Sequence, residues 1–400
     1  MVSLSDIQAA GERIREHIIR TPLVFSPTIS AMTGANVYLK LETLQKAGSF
    51  KVRGATNKIL SHYNEIQKTG VVAASAGNHA QGVAVAAHSV GVPATIVMPE
   101  WATLSKQEAT KGYGAQIIIQ GQSLEESIAY AQEITRGGAL FIHPFNDDEI
   151  IAGQGSIGLE ILSDLPSTDM IVVPVGGGGL IAGIAIAAKG IRGHVKIIGV
   201  QTAECPSARE SVSRGEAVCV PALETIADGI RVEGPGERTF ASIHSLVDSV
   251  ALASEDEIAD AMLLLMERKH IVAEGAGAVP LAALLNGSIA IPPGSNVVLV
   301  ISGGNVDSLR LFRIIRHSLL RQQRIMRFAL QIEDQPGELA RMLEIIAKLK
   351  GNIVRVHHAE GERDIPVHRA HIQIELETRG REHSGQIRHV LEDAGYQIEI

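Results

Sequence analysis

Short apolar runs rich in β-branched residues alternate with helix-like segments from about residue 37 to residue 305. The runs are continuously apolar, which is typical of strands buried on both faces of a parallel sheet. We interpret six of them as strands: GVVAAS, PATIVMP, AQIIIQ, IVVPVGGGG, VKIIGVQ and NVVLVISGG. Because one sheet rarely uses so many strand-helix units, the pattern predicts two α/β lobes with a cleft between them. Ligands bind to such sheets beyond the carboxyl ends of the strands.

The composition limits the partners of the chain. The 400 residues carry a net charge of −8 and only 3% aromatic residues, which argues against nucleic acid or an acidic membrane surface. Cys205 and Cys219 are the two cysteines, so no disulfide framework is predicted. The first 20 residues lack the apolar core of a signal peptide, and no apolar run reaches the roughly 18 residues of a membrane span. These features predict a soluble cytoplasmic protein.

The pattern changes near residue 320. Strand and helix signals follow in the order βαββαβ over residues 326–400, which predicts a small ferredoxin-like α+β domain. We therefore predict a first domain at 1–320 with a small mobile lobe at about 52–145, a linker at 321–325, and a second domain at 326–400.

Six arginines precede or enter the second domain: Arg310, Arg313, Arg316, Arg321, Arg324 and Arg327. Their spacing could form a phosphate-binding helix. The acidic total and the lack of interleaved aromatic residues favour a solvated connector instead.

A strand runs into four consecutive glycines in VVPVGGGGLIAG, and a helix follows. Backbone N–H groups converge in such a turn, and the helix N-terminus adds partial positive charge, so the turn predicts a phosphate site. It has neither the G-x-G-x-x-G spacing of a dinucleotide site nor the Gly-Lys-Ser/Thr of a P-loop. A terminal phosphate monoester fits best. The alternative is a tight strand-helix turn, for which one glycine would suffice.

Two further strands end in polar turns. In VVAASAGNHAQGVA, hydroxyl and amide side chains join backbone donors, which suits a small carboxylate. A helix cap by Ser75 or Asn78 is an equally good interpretation. In VVLVISGGNVD, the hydroxyl of Ser302 could bond a ring nitrogen or cap the next helix.

Lys51 lies in QKAGSFKVRGA among small residues, with one aromatic neighbour. A sheltered lysine, a phosphate site, a carboxylate site and a hydroxyl at a third strand end describe an aldehyde cofactor with a phosphate group that meets an amino acid. The lysine could form a Schiff base with that cofactor and then act as the base at Cα.

Four motifs in this order, SFKVRGA, SAGNHAQG, GGGGL and SGGNVD, resemble the threonine/serine dehydratases. These are pyridoxal 5'-phosphate enzymes of fold type II, the tryptophan-synthase-β type, and the resemblance covers about residues 1–320. The segment DQPGELARML followed by GNIVRVHH resembles an ACT domain, a module that commonly binds amino acids between copies.

The resemblance implies a role for each matched residue. Lys51 would bind the cofactor covalently and later move the α-proton. Phe50 would pack on the pyridine ring, Asn78 would bond its phenolic oxygen, and Ser302 would meet its nitrogen. The phosphate and the substrate carboxylate would be held by two sets of residues: Gly176, Gly177, Gly178, Gly179 and the Leu180 amide for the phosphate, and Ser75, Gly77, Asn78 and His79 for the carboxylate.

The reaction that we expect is β-elimination. A neutral hydroxyl at the ring nitrogen makes the cofactor a weaker electron sink than a carboxylate would, which disfavours transamination. The expected products from L-threonine are 2-oxobutanoate and ammonia, with L-serine as a second substrate. A catabolic dehydratase and a non-catalytic amino-acid sensor are alternatives, and a nucleotide-dependent oxidoreductase is a more distant one.

Two departures from the related serine racemases bear on this choice. Those enzymes have a second serine where this chain has Ala76, which cannot carry a proton. They also have acidic metal ligands where this chain has Gln201 and Ser207, so we predict no divalent metal and leave a monovalent cation open. Glu274, in AEGAGAVPLAAL, could lie near the cofactor but receives no role.

The second domain is expected to bind an amino-acid effector, isoleucine before valine, in a homo-oligomer that we expect to be a tetramer. The turn EDQPGELARML exposes amides that could take a carboxylate. The candidate effector residues are Asp334, Pro336, Gly337, Glu338 and Leu339.

Overall fold

The structure is a computed structural model of the chain and describes residues 1–359 and 366–399. The chain divides into two compact units, Met1–Asp307 and Ser308–Ile400. In the described ranges, no helix combines the length and apolar character that a membrane crossing requires.

The first unit contains strands β1 to β10: Leu23–Phe25, Asn36–Leu41, Val71–Ala74, Ala94–Met98, Gln116–Ile119, Leu140–Phe141, Met170–Pro174, Lys196–Thr202, Ser249–Ala253 and Asn296–Ile301. Its helices α1 to α13 are Leu4–Ile14, Pro27–Thr33, Lys51–Ser61, Tyr63–Ile66, Asn78–Ser89, Leu104–Gly112, Leu124–Ile134, Asp148–Asp164, Gly179–Ile191, Ser207–Arg214, Glu237–Leu246, Glu255–Lys269 and Gly275–Leu285. Short 3-10 turns lie at Glu42–Leu44, Thr135–Gly137 and Asp228–Ile230.

These strands form two sheets. Six strands lie in the order β1-β2-β10-β7-β8-β9, and all neighbours are parallel except β1 and β2. Four strands from residues 71–141 form a separate parallel sheet in the order β5-β4-β3-β6. The prediction of parallel α/β sheets is confirmed, and the polar turns after β3, β7 and β10 lie at carboxyl ends of strands.

Five of the six predicted strands are as buried as their apolar character requires, and β5 is the exception. Ile117 and Ile118 are half-buried, and Gln116 and Ile119 are exposed. The strand pairs with β4 alone and forms an edge of its sheet, so the expectation of full burial was wrong there.

Helices α8 and α9 pack with their backbones in near contact. A Cβ at Gly155 would lie 2.9 Å from the carbonyl oxygen of Gly183, and a Cβ at Gly183 would lie 2.6 Å from the nitrogen of Gly155. Only glycine permits this approach. The contact fixes the start of α9, where the four-glycine turn ends.

The second unit contains α14 (Ser308–Arg321), β11 (Ile325–Glu333), α15 (Glu338–Lys348), β12 (Asn352–Ala359), β13 (Arg369–Glu377), α16 (Arg381–Asp393) and β14 (Ile398–Glu399). Its strands form an antiparallel sheet in the order β12-β13-β11-β14. From β11 onward the order is βαββαβ, so the predicted ferredoxin-like fold is confirmed.

The second unit begins earlier than the predicted linker at 321–325. Helix α14 groups with the sheet that follows it, and Arg316 pairs with Glu375 of β13 at 2.6 Å. Ile314 and Ser318 on the same helix are buried. The arginine-rich segment through Arg321 is therefore a helix that groups with the second unit, and Arg313 and Arg321 are exposed on it.

Candidate active site

Lys51 is the first residue of α3, and its side chain is half-buried. Its Nζ atom donates to the carbonyl oxygen of Pro144 at 2.8 Å and lies 5.2 Å from the centre of the Phe50 ring. Gly82 of α5 makes room, because a Cβ there would lie 2.9 Å from the Cβ of Lys51. Burial lowers the pKa of Lys51 to about 8, although the charge of Glu274 acts in the opposite direction. More of this amine is neutral near pH 7 than of an ordinary lysine.

Buried ion pairs anchor the helix that carries Lys51. Arg53 is fully buried, and its guanidinium donates to Glu42 at 2.8 Å and to Glu160 of α8 at 2.7 Å. Lys40 of β2 also donates to Glu160, at 2.5 Å. A buried charge is tolerated only when it is paired and hydrogen-bonded, so this cluster strongly constrains where α3 begins.

The acceptor of the Lys51 amine belongs to a tight turn after β6. His143 Nδ1 accepts the backbone N–H groups of Phe145 at 3.1 Å and Asn146 at 2.8 Å. Nδ1 must therefore be unprotonated, which places the proton of the neutral imidazole on Nε2. Burial, reinforced by the charge of Lys51, lowers the pKa of His143 to about 4, so the neutral form persists near pH 7.

The four-glycine turn joins β7 to α9, and at each of the four positions a side chain would be sterically restricted. Gly178 has a φ of 93°, in the left-handed region. A Cβ at Gly177 would overlap the ring of Phe145, and one at Gly179 would lie 3.1 Å from the Cβ of Phe145. At Gly176 a Cβ would lie 3.0 Å from the Cα of Ile230. Close packing thus explains why one glycine does not suffice.

The same turn carries the donors that a phosphate group needs. The N–H groups of a helix's first turn have no partner within the helix, and Leu180 lies in the first turn of α9. Thr239 donates its hydroxyl to the carbonyl oxygen of Gly177 at 2.6 Å. Phosphate binding at this turn remains a prediction, and the helix start suits it.

Asn78 and Glu274 form a hydrogen-bonded pair close enough to Lys51 for the charge of Glu274 to act on its amine. Both carboxylate oxygens of Glu274 accept from Asn78 Nδ2, at 2.7 and 2.9 Å, while Asn305 donates to Asn78 Oδ1 at 2.9 Å. Glu274 is 4% exposed, and burial raises its pKa to about 7. This residue, to which sequence reasoning gave no role, fixes the orientation of the predicted cofactor ligand Asn78.

The turn after β3 holds the residues predicted to receive a carboxylate. Ser75 Oγ accepts the N–H of Gly77 at 3.1 Å, and α5 begins at Asn78 without a side-chain cap among the described residues. The capping alternative for this turn is therefore not observed. A Cβ at Gly77 would meet nothing within 4 Å, so this position faces open space. His79 is buried and bonds the carbonyl oxygen of Ile142 through Nε2 at 2.8 Å, which leaves its backbone N–H as its contribution to a carboxylate site.

Ser302 directly follows β10, next to the segment that leads into Lys51. Its carbonyl oxygen accepts the N–H of Phe50 at 3.1 Å, and its neighbour Gly303 pairs with Ser49. The next helix begins only at Ser308, so Ser302 does not cap it. Contacts thus connect the segment that carries Lys51 with the turns after β3 and β10.

Sequence reasoning missed the turn from His143 to Asn146. The signal was a His-Pro-Phe triplet between a short strand and the Asp147 cap of α8, at the same edge of the sheet as the SAGNH turn. A proline-containing turn at the carboxyl end of a strand could have been recognised as part of the site.

Gln201 and Ser207, the two positions compared above with metal ligands of the racemases, are joined by a hydrogen bond from the Gln201 side-chain amide. Gln201 donates to Val175 O and Ser207 Oγ, both at 3.3 Å, and accepts from the N–H of Ala208 at 2.9 Å. Within residues 1–359 and 366–399, no group of three or more His, Cys, Asp or Glu side chains is placed to hold a metal ion.

The candidate effector residues lie at the turn from β11 into α15. Gly337 has a left-handed φ of 98°, and Glu338 accepts the hydroxyl of Tyr396 at 2.9 Å. The backbone N–H of Asp334 donates to the carbonyl oxygen of His368 at 2.9 Å. The effector roles of Asp334, Pro336, Gly337, Glu338 and Leu339 remain predictions.

These residues fit pyridoxal phosphate. The turn from Gly176 to Leu180 leads into the N–H groups of a helix start, which suit a phosphate group, and Lys51 offers a half-buried amine with a lowered pKa. Lys51 would hold the cofactor covalently, the turn from Gly176 to Leu180 would hold its phosphate, and Ser302 and Asn78 would contact its ring.

Comparison with known proteins agrees with this interpretation. Residues 14–303 match the pyridoxal-phosphate dependent enzyme family. The L-threonine ammonia-lyase of Thermotoga maritima is 47% identical to the chain over 100% of both proteins. The catabolic L-threonine dehydratase TdcB of Staphylococcus aureus is 49% identical over 80% of the chain and 93% of its own length. The solved structure of maize serine racemase matches 80% of the chain and 99% of its own, at 37% identity and a TM-score of 0.75.

Proposed function

The chain belongs to the pyridoxal-phosphate dependent enzyme family, and from that premise we propose that it converts L-threonine to 2-oxobutanoate and ammonia by β-elimination. L-Serine is the proposed second substrate. The observation that carries this proposal is the 47% identity with an L-threonine ammonia-lyase along the whole of both chains.

Bound pyridoxal phosphate supplies an electron sink that stabilises negative charge at the α-carbon of an amino acid. The chain's own residues hold and move the proton. Lys51 Nζ takes the α-proton in this proposal, and the carbonyl of Pro144 accepts a hydrogen bond from the resulting ammonium group. The backbone N–H groups of the turn from Ser75 to His79 orient the carboxylate, and the neutral Ser302 hydroxyl at the ring nitrogen favours loss of a β-substituent over transamination.

A serine racemase is the second candidate, and it is favoured by the fold similarity to the maize enzyme. Racemisation requires a proton donor on the face opposite Lys51. Ala76, between Ser75 and Gly77, has no hydroxyl to serve as one. This departure supports the lyase.

The second unit extends the proposal to regulation. Its ferredoxin-like sheet supports an ACT domain at residues 326–400 that binds isoleucine and adjusts threonine turnover in a homotetramer. Binding there changes activity only through different affinities for two quaternary states. The Thermotoga relative matches along the whole chain, so that match includes the second unit, whereas TdcB matches 80% of the chain.

Turnover assays test the activity. The purified protein should show a visible absorbance that borohydride removes, and it should release 2-oxo acid fastest from L-threonine among threonine, serine and 3-hydroxyaspartate. A coloured protein that makes no 2-oxo acid from threonine would identify an amino-acid sensor instead. Formation of D-serine from L-serine as the main reaction would identify a racemase.

Adding an effector tests the regulation. Isoleucine should shift the threonine saturation curve of the full chain and leave that of a chain ending at Asp307 unchanged. If the shortened enzyme is inhibited equally, the effector site lies in the first unit. Light scattering then measures whether the full chain is a tetramer.

A further inference from the structure

We infer that His143 is a positioning residue that holds the carbonyl group of Pro144 toward the amine of Lys51, and thereby sets where that amine rests when it carries a proton. The effect of His143 on catalysis rests on the proposed function. The geometry itself is independent of the substrate.

The carbonyl group of Pro144 is in direct contact with the amine of Lys51. Pro144 O is the hydrogen-bond acceptor that the structure gives to Lys51 Nζ, at 2.8 Å. An ammonium group in a half-buried position needs such an acceptor, because little water reaches it. The titratable groups that interact with Lys51 are Glu274, His79 and His143 itself.

The ring of His143 sets the direction of the Pro144 carbonyl group. The turn that contains Pro144 closes on the ring of His143, whose Nδ1 accepts the N–H groups of Phe145 and Asn146 at 3.1 and 2.8 Å. These two bonds hold the backbone immediately after the Pro144 carbonyl. Without an acceptor at Nδ1, the two N–H groups lose their partner and the peptide after Pro144 can turn.

His143 also supports the four-glycine turn, through Phe145. The rings of His143 and Phe145 meet edge to face, with their centres 4.9 Å apart, and Phe145 packs against Gly177 and Gly179. Asn146 Oδ1 accepts the N–H of Arg238 at 2.9 Å, next to Thr239, which bonds Gly177. One imidazole therefore supports both the amine and the turn predicted to hold phosphate.

Two substitutions separate this role from a merely structural one. In His143→Asn, the side-chain oxygen is as many bonds from Cα as Nδ1 is, so it can accept the same N–H groups. In His143→Leu, a side chain of similar size offers no acceptor. The readout is the reaction of Lys51 with acetic anhydride across a pH series, measured by peptide mass spectrometry on the full chain freed of cofactor, together with kcat and KM of the loaded enzyme.

For His143→Leu we expect the titration midpoint of Lys51 to fall by about one pH unit, because a hydrogen bond to the ammonium form is lost. We expect kcat to fall about tenfold while KM for threonine changes less than about twofold. His143→Asn should return kcat to within about threefold of the original enzyme. The Lys51 titration midpoint should return toward its original value as well.

Equal behaviour of the two variants, or an unchanged Lys51 midpoint in His143→Leu, would overturn the inference. If His143→Leu does not fold, His143→Gln replaces it, since its oxygen lies one bond too far to accept the same N–H groups. If the original enzyme makes no 2-oxo acid, the proposed function fails. The labelling of Lys51 still decides whether His143 positions the amine.

Discussion

Asn78 Nδ2 donates to both carboxylate oxygens of Glu274, at 2.7 and 2.9 Å, although Asn78 begins α5 and Glu274 immediately precedes α13, far along the chain. The ionised carboxylate suits this arrangement best, because both of its oxygens accept, whereas protonation would turn one of them into a donor. Glu274 is nevertheless buried, and burial raises its pKa to about 7, against the effect of the Asn78 hydrogen bonds. We therefore expect the orientation of Asn78 to depend on pH in the neutral range.

Glu274→Gln should remove an ionisation from the pH profile of the enzyme. In the original protein Glu274 is protonated below pH 7 and ionised above it, so kcat should rise with pH through about 7. The glutamine should lower kcat by about tenfold at pH 8 and flatten this rise, because its NH₂ group would face that of Asn78. Measuring kcat from pH 5.5 to 9 decides the matter. An unchanged rise in the variant assigns the ionisation to another group.

Asp228→Asn is an independent check on the same carboxyl group. The charge of Asp228 contributes to the raised pKa of Glu274, after burial. Removing that charge should move the rise in kcat to lower pH without abolishing it. A shift toward higher pH would contradict this electrostatic account.

Lys51→Ala should lower turnover by about a thousandfold or more, because covalent cofactor binding and removal of the α-proton both need the amine. The visible absorbance that borohydride removes should disappear as well. Lys46→Ala is the matched control, since Lys46 is exposed and lies in the same segment. Substantial residual activity in the purified Lys51 variant would refute the assignment.

Ala76→Ser should place a hydroxyl in the turn after β3, at a position that is 8% exposed. We expect D-serine to become detectable from L-serine, because a second group could then return the proton on the opposite face. Ala76→Gly changes the size without adding a hydroxyl and serves as the control. If chiral chromatography finds no D-serine with either variant, a single missing hydroxyl does not explain the reaction outcome.

Arg53→Met should lower the free energy of unfolding by about 3–5 kcal/mol, because Glu42 would remain buried without its ion-pair partner and Glu160 would keep only Lys40. Arg20→Met removes the exposed ion pair with Asp164 and should cost at most about 1 kcal/mol. Urea unfolding followed by circular dichroism measures both. Equal losses would mean that burial of the Arg53 cluster has no special energetic importance.

Much of the fold could be predicted because its signals are local. The apolar runs at β3, β7 and β10 are continuous, and each ends in a turn of glycines or short polar residues. The arginines of helix α14 suggested a solvated segment, although Ile314 and Ser318 of the same helix are buried. Whether an amphipathic helix connects two units or packs on the second depends on the partner surface, which sequence periodicity does not contain.

The site was harder to predict than the fold wherever it depends on approach between distant segments. The motifs indicated Lys51 and the glycine turn. Nothing local to either one indicated that Pro144 accepts from the amine or that Phe145 packs on Gly177. Glu274 was noticed, yet its role follows from a contact with Asn78 that only the folded chain makes.

Strand β2 pairs in parallel with β10, so that Val37 lies opposite Val297. During synthesis on the ribosome, the strands of the four-stranded sheet all emerge between residues 71 and 141, long before β10 exists. The emerging chain can therefore form the smaller sheet early, but it must hold the segment around Lys51 without its neighbouring strand until Ser302 has left the exit tunnel. In an unfinished chain, the side of β2 that later pairs with β10 is an unpaired edge, which could pair with another chain. A chaperone that binds during this interval would protect that edge from aggregation.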